Sequence, residues 1–449
     1  MRDILLAGLF FGAVPFILMR PTLGVFLWIW VSVMNPHRLT WGFAYDFYFA
    51  QIIAIATLAG IFFSREPKRM PMTPVTVVLF LLNVWMCVTT LFALDPEHAT
   101  PMWERVMKIQ FMVFVSMYLL HSKRHVQTVV WVVAGSVAFF GVKGGLFTLG
   151  SGGEFRVWGP PGSFIEENNS LALATIMTIP LLYYLTQQPL KAWMRWGLFC
   201  AMLLCGLSAL GSYSRGALLG ITAMVAFLWS KTRMKFVTGV VLVVLVPLAI
   251  GFMPEKWEDR MRSIQDYEQD DSSQGRINAW WMAFNLANDR PLVGGGFEPY
   301  NERTFSLYAP TPENIHSAHS IYFQMLGEHG YVGLGLFLLL WMLVWRDATV
   351  IIRQGRSRND LQWATDLARM IQVSIVGYAV GGAFLNLAYF DVPYYLIAAL
   401  VITRLIVEKE VQSAEKREDA AVQPVGSAQG QRAVARAGFD PRVSPEKRG

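Results

Sequence analysis

The chain is a succession of long apolar segments, and their lengths suit a bilayer better than a globular core. A membrane-crossing helix needs about 20 predominantly apolar residues to span roughly 30 Å of hydrocarbon. Two short apolar runs come first, 3–19 and 22–34, separated by Arg20-Pro21, and their length leaves open whether they cross. Clearer segments follow at 47–63, 74–94, 104–121, 126–149, 169–187, 193–212, 216–230, 236–253, 320–345, 364–388 and 391–407. Composition agrees, because 54% of the 449 residues are hydrophobic, only 16% are charged and the mean hydropathy is +0.38. That is more apolar surface than an ordinary soluble fold can bury. The expected class is an all-α polytopic membrane protein with about twelve transmembrane helices. The first segment lacks a small-residue cleavage site and runs straight into further apolar helices, so it is expected to stay in the mature protein. Cys87, Cys200 and Cys205 lie inside apolar stretches, where thiols behave as small hydrophobes. Their spacing gives no disulfide framework and no metal motif.

Orientation follows from where the basic residues collect. Arg65, Lys68 and Arg69; Lys123 and Arg124; Lys191 and Arg195; Lys231, Arg233 and Lys235; and Arg346, Arg353, Arg356 and Arg358 fall in every second connection. The positive-inside rule assigns those connections to the cytoplasm, which sends 95–103, 150–168, 213–215, 254–319 and 386–390 to the opposite side, the periplasm or cell exterior. The expected organisation is therefore N-terminal transmembrane helices over 1–253, a large folded periplasmic loop over 254–319, C-terminal transmembrane helices over 320–407 and a disordered cytoplasmic tail over 408–449. The basic residues of that tail are expected to rest near anionic membrane lipid.

The 254–319 loop carries the chemistry-bearing residues. Its first part, Pro254 to Asp271, holds charges of both signs and predicts a solvated helix and turn. From Arg276 to Asn288, Ile277, Trp280, Trp281 and Phe284 recur at helical spacing behind Ser272, Ser273 and Gly275 as turn or cap residues. This predicts an interfacial amphipathic helix anchored by tryptophans. Pro291 and Gly294-Gly295-Gly296 should end it, with Gly295 placed where backbone can approach a ligand. At the far end of the loop, His319 is expected in the first turn of the next helix. A neutral imidazole there can take up a proton near physiological pH, and Tyr322 and Phe323 would share its face. Glu328 would lie about half a revolution and roughly 13 Å along a continuous helix, too far to orient His319 directly.

Arg215 falls at the outer end of two helices joined by almost no loop, and Arg276 begins the interfacial helix. A charge beside hydrocarbon needs a partner, and a guanidinium fork matches phosphate oxygens bidentately. Both arginines therefore suit a lipid-linked phosphate or diphosphate. Arg105, Lys108 and Lys143 lie toward the same side as weaker substrate-binding candidates, and Lys143, among Gly141, Gly144 and Gly145, is expected to reach into the bundle. The outward loops show no DxD pair, with Glu166-Glu167 the nearest approach, and there is no GxxxxGK[ST]. No metal, cofactor or nucleic-acid partner is expected, and the arginines would stabilise a leaving phosphate instead.

The runs Tyr213-Ser214-Arg215-Gly216-Ala217, Arg276 with its Trp-rich helix, Pro291-Leu292-Val293-Gly294-Gly295-Gly296 and His319-Ser320-Ile321-Tyr322 with Glu328, Gly330, Gly333 and Gly335 resemble the shared region of the O-antigen ligase and polymerase superfamily. The N-terminal half, with Met34-Asn35-Pro36-His37-Arg38, is similar to O-antigen ligases of the WaaL type, including those beside exosortase systems. The resemblance implies a GT-C glycosyltransferase that needs no metal. It would move polysaccharide from undecaprenyl diphosphate to the lipid A core, with Arg215 and Arg276 on the diphosphate and His319 as base. Ser320 stands where many relatives have Asn. The same residues would serve an O-antigen polymerase or a protein O-oligosaccharyltransferase. A lipid or anion transporter would instead place charges near the midplane, with broken helices and internal repeats.

Overall fold

A computed structural model describes residues 1–231, 239, 247–248, 250–262 and 271–422. Most of the expected 236–253 segment, part of the 254–271 stretch and the tail beyond 422 lie outside the described residues.

Among these residues every regular element is helical. In chain order they are α1 (Arg2–Met19), α2 (Pro21–Met34), α3 (Phe49–Phe63), α4 (Pro74–Leu91), α5 (Pro96–Leu119), α6 (Lys123–Gly150), α7 (Asn168–Thr186) and α8 (Ala192–Gly211). There follow α9 (Arg215–Lys231), α10 (Glu255–Arg262), α11 (Asp271–Asp289), α12 (Glu302–Tyr308), α13 (Ile321–Gly355), α14 (Gln362–Gly382) and α15 (Asp391–Val422). Prolines at the first helical position, Pro21, Pro74 and Pro96, start helices where the missing N–H costs nothing. Thr73, Asp95 and Ser122 accept backbone N–H bonds as N-caps.

Six of these helices are long and apolar enough to cross a membrane: α1, α4, α6, α7, α8 and α13. Pro21–Met34, Phe49–Phe63 and Arg215–Ser230 are shorter apolar helices. The chain is a multi-pass membrane protein by this measure. Small residues let its helices close up, as expected where apolar side chains gain little by leaving lipid. A Cβ on Gly141, Gly144 or Gly145 of α6 would collide with Cys205, Ser208 or the Leu204 backbone of α8.

The connections sort into two sets. At one end Arg69 N–H donates to Tyr118 O (3.1 Å), Gln127 to Gln188 (3.0 Å) and Arg358 to Glu410 O (3.2 Å), while Lys123 lies 5.3 Å from the Trp363 ring. At the other end Leu94 N–H donates to Gly295 O (2.8 Å), Val157 N–H to Gly211 O (3.2 Å), Tyr213 OH to Gly153 O (2.7 Å) and Arg105 to Gly162 O (3.1 Å). These are the same two sets into which the basic residues divide the loops.

Two expectations about the chain's course change, and one open question about it is answered. Residues 1–35 form two antiparallel helices, with Asp3 accepting from Gly42 N–H (3.0 Å) at the loop-rich end and Thr22 donating to Glu66 (2.9 Å) at the other. Residues 96–103, expected in a loop, are the opening turns of α5, capped by Asp95. The boundary expected at 408 is crossed, because α15 continues to Val422. Arg404 and Glu408 pair one turn apart (2.6 Å), the i,i+4 support that keeps a polar helix going.

Candidate functional site

The loop-rich end is organised around a break in α13. Gly330 has φ +67° and ψ −169°, a conformation that only glycine adopts readily. Helical hydrogen bonds are lost there, and the 291–296 segment supplies substitutes. Gly295 N–H donates to Gly327 O (2.8 Å), Gly296 N–H to Glu328 O (2.9 Å) and Tyr331 N–H to Pro291 O (2.9 Å). A Cβ on Gly294 would lie 2.6 Å from Gly327 O. The glycine run is thus a docking surface for a broken helix. Gly295, expected against a ligand, is instead buried between Leu286 and Pro299.

Below the break sits a polar network whose centre, Glu328, His329, Thr89 and Tyr389, is buried. Tyr389 OH bonds both Glu328 and His329 Nε2 (2.7 Å), while His329 Nδ1 meets Thr89 Oγ1 (2.7 Å) and Trp85 donates to His329 O (3.1 Å). Burying such groups is tolerable only when each finds a partner. The network ties the start of α13 to α4 and to the 383–390 turn. Glu328 bonds Tyr389 and Gln324, so it serves this network rather than His319.

The opening turns of α11 gather the sequence-predicted residues. Arg215, at the start of α9 and 9% exposed, donates to Ser273 Oγ (3.3 Å). One turn further along α11, Arg276 is close enough for its charge to act on His319. Between them a Cβ on Gly275 would collide with the His316 ring. That is why a glycine expected in a turn lies inside the helix: the imidazole occupies its side-chain position. Trp280 donates to Ala318 O (2.7 Å), and Phe323 stacks on Trp280 at 5.0 Å and 7°. Asn278 accepts from Thr311 N–H (2.9 Å) and donates to Thr311 O (2.8 Å) and Asn314 O (2.9 Å).

His319 itself is not helical. Ser320 caps α13, and His319 precedes it with φ +41°. The non-glycine residues with positive φ among those described are Asn35, Tyr213, Glu298 and His319; all but Glu298, two residues past the glycine run, fall inside one of the sequence motifs at this end. Left-handed backbone costs about 1–3 kcal/mol per residue and concentrates at functional sites. Burial, then the charges of Arg276 and His316, hold the His319 imidazole down at about 4. It is neutral at pH 7 and can accept a proton. Burial likewise raises the Glu298 carboxyl.

Asn278 should be the keystone of the 311–319 segment. Replacing it by Ala removes three hydrogen bonds to the exposed Thr311 and half-buried Asn314 backbone, each worth about 0.5–1.5 kcal/mol. The expected result is faster protease cleavage within 309–317 with the helical content unchanged, checked by limited proteolysis and circular dichroism.

The remaining candidates scatter. Tyr322 OH donates to Ala379 O (2.9 Å), so it pins α13 to α14 and does not wall a pocket with Phe323. Arg105 stacks on Phe164 (4.0 Å), and Lys108 pairs with Glu104; both line a cavity of about 310 Å³ with His37 and Asp391. Lys143 is exposed rather than inserted in the bundle, because the glycines beside it are filled by α8. His316, Asn278 and Trp280 were missed as site residues. The His316-x-x-His319 spacing was the available signal for the first.

Residues 200–338 match the O-antigen ligase family, a span that holds Arg215, Arg276, Gly295, His319 and Tyr322. That match supports membership of the O-antigen ligase and polymerase superfamily. Its members are glycosyltransferase-like enzymes acting on polysaccharide and lipid-carrier substrates. Residues 1–189 match a family of unknown function. Among curated proteins, none matches the chain.

Proposed function

We propose that the chain is an O-antigen ligase of the bacterial inner membrane, a GT-C enzyme with about twelve crossings whose loop-rich end faces the periplasm. The donor would be polysaccharide on undecaprenyl diphosphate, and the acceptor a sugar hydroxyl of the lipid A core. The observation that carries this is the convergence of Arg215, Arg276 and a neutral His319 on the first turns of α11. In one displacement His319 takes the acceptor proton, the hydroxyl oxygen bonds the anomeric carbon, and the bond to the diphosphate breaks with inversion. The arginines hold the departing diphosphate and neutralise its charge, so the residues present supply the electrostatic stabilisation without a metal. A transporter would use a broken helix to bind its cargo, but at Gly330 the 291–296 backbone takes up the freed groups.

The depressed imidazole makes a pH prediction. A histidine whose folded pKa lies at about 4, against 6.5 when unfolded, adds stability above pH 6.5 that is lost as pH falls through about 4. In the free enzyme kcat/KM should stay level from neutrality to about pH 5 and fall below about pH 4. A diphosphate beside Arg276 opposes the positive field, so the acid limb of kcat should sit at higher pH. Profiles of both quantities measure this, and coincident limbs near pH 6.5 would show an unperturbed base.

Expression in a ligase-deficient Gram-negative strain with a matched core tests the assignment. Wild type should cap the lipid A core on a lipopolysaccharide gel, and His319→Ala should not. Lengthened lipid-linked polymer with uncapped core would make the chain a polymerase, and sugar on Ser or Thr side chains a protein O-oligosaccharyltransferase.

A further inference from the structure

A cavity of about 900 Å³ lies apart from the arginine–histidine site, between α1, the 36–41 turn, the outer part of α6 and residues 156–161. Its polar lining is basic: Arg2, Arg38, Lys143 and Arg156, with no carboxylate among the described lining residues. Arg38 is taken up by Asp46 at 2.8 Å. Arg2, Lys143 and Arg156 have no carboxylate within ion-pair distance among the described residues. Arg2 donates to Leu39 O (3.5 Å) and lies 5.8 Å from the Trp41 ring, Arg156 lies 5.9 Å from that of Tyr213, and Lys143 makes no hydrogen bond among the described residues. Lys143 stands seven residues before Gly150, about 10 Å below the end of α6. An uncompensated cation at that depth is costly and marks a binding site.

The other wall is hydrocarbon-like. Leu5, Leu9, Phe139 and Phe147 line the same cavity and are 70%, 49%, 42% and 48% exposed. Cations on one side and open apolar side chains on the other match an amphiphile with an anionic head and a hydrophobic tail. Three cations with no carboxylate partner among the described residues exceed what one phosphodiester can neutralise. They match a phosphomonoester or a diphosphate, which carry more charge and more acceptor oxygens.

We infer that this cleft binds a lipid with a phosphomonoester or diphosphate head, the head on Arg2, Lys143 and Arg156 and the tail along α1 and α6. The site is separate from Arg215 and Arg276 and does not depend on the transfer assignment.

The test uses the full chain in phosphatidylcholine nanodiscs with a photoreactive phosphatidic acid, and adducts are mapped by mass spectrometry. Adducts are expected on the Leu5–Leu9 and Phe139–Phe147 stretches. Lys143→Gln, an exposed residue whose loss leaves no buried partner, should lower them at least about tenfold, and Lys143→Arg should retain them. Unlabelled phosphatidic acid should compete, while phosphatidylglycerol and inorganic phosphate should not. Labelling that is indifferent to Lys143→Gln, or displaced equally by phosphatidylglycerol, would reduce the cleft to ordinary annular lipid contact and overturn the inference. Full displacement by inorganic phosphate would overturn the lipid assignment. Labelling reads binding alone, so a failed transfer assay leaves its outcome unaffected.

Discussion

Arg215→Ala is expected to lower transfer by about 10²–10³-fold, the usual loss when one preorganised donor to a developing anion is removed. Arg215 is 9% exposed and its guanidinium is already oriented by Ser273, so little is spent on ordering it when the diphosphate departs. Arg215→Lys should recover less than about a tenth of the loss, because an ammonium cannot reproduce the bidentate fork. Arg276→Ala should cost a similar factor and also raise the His319 pKa, since Arg276 is one of the charges that depress it. Single-turnover transfer by purified variants in detergent checks both. Equal rates for Arg215→Ala and wild type would remove the arginine from the mechanism.

Gly330→Ala is expected to have the largest effect on stability. The residue sits at φ +67°, ψ −169°, and an added Cβ would lie 2.5 Å from Leu292 O and 2.6 Å from Pro291 O. Forbidden backbone costs about 1–3 kcal/mol and overpacking a further 1–3, so the sum is about 2–6 kcal/mol. Neither obstacle is a side chain that could swing away. The expected outcome is a sharp fall in folded yield and melting temperature. Gly335→Ala, where nothing lies within 4 Å of the added atom, is the matched control. Equal melting of the two variants would show that the break is dispensable.

Much of the helical layout was legible because apolar run length and basic-residue alternation respond directly to the bilayer. The two loop sets drawn from Lys and Arg positions are the two sets that the hydrogen bonds join. What stayed hidden depends on tertiary contact. Gly330 breaks α13 only because 291–296 arrives to satisfy its backbone, so local sequence gave a continuous helix. The triple glycine was read toward a ligand when its partner is another stretch of backbone. Gly275 resembled a turn residue until the His316 ring was found over it. His319 was expected in the first turn of α13 and lies just before its Ser320 cap, since its left-handed φ leaves no trace in residue spacing. The residue types were right for the chemistry proposed, and their assembly on α11 required the fold.

The most direct test of the account is transfer by the purified chain in nanodiscs, given undecaprenyl-diphosphate-linked polysaccharide and lipid A core, with products identified by mass spectrometry. The account predicts core capped through a linkage inverted at the donor's anomeric carbon, with no product from His319→Ala. Uncapped core in the presence of intact donor, or full transfer by His319→Ala, would contradict it.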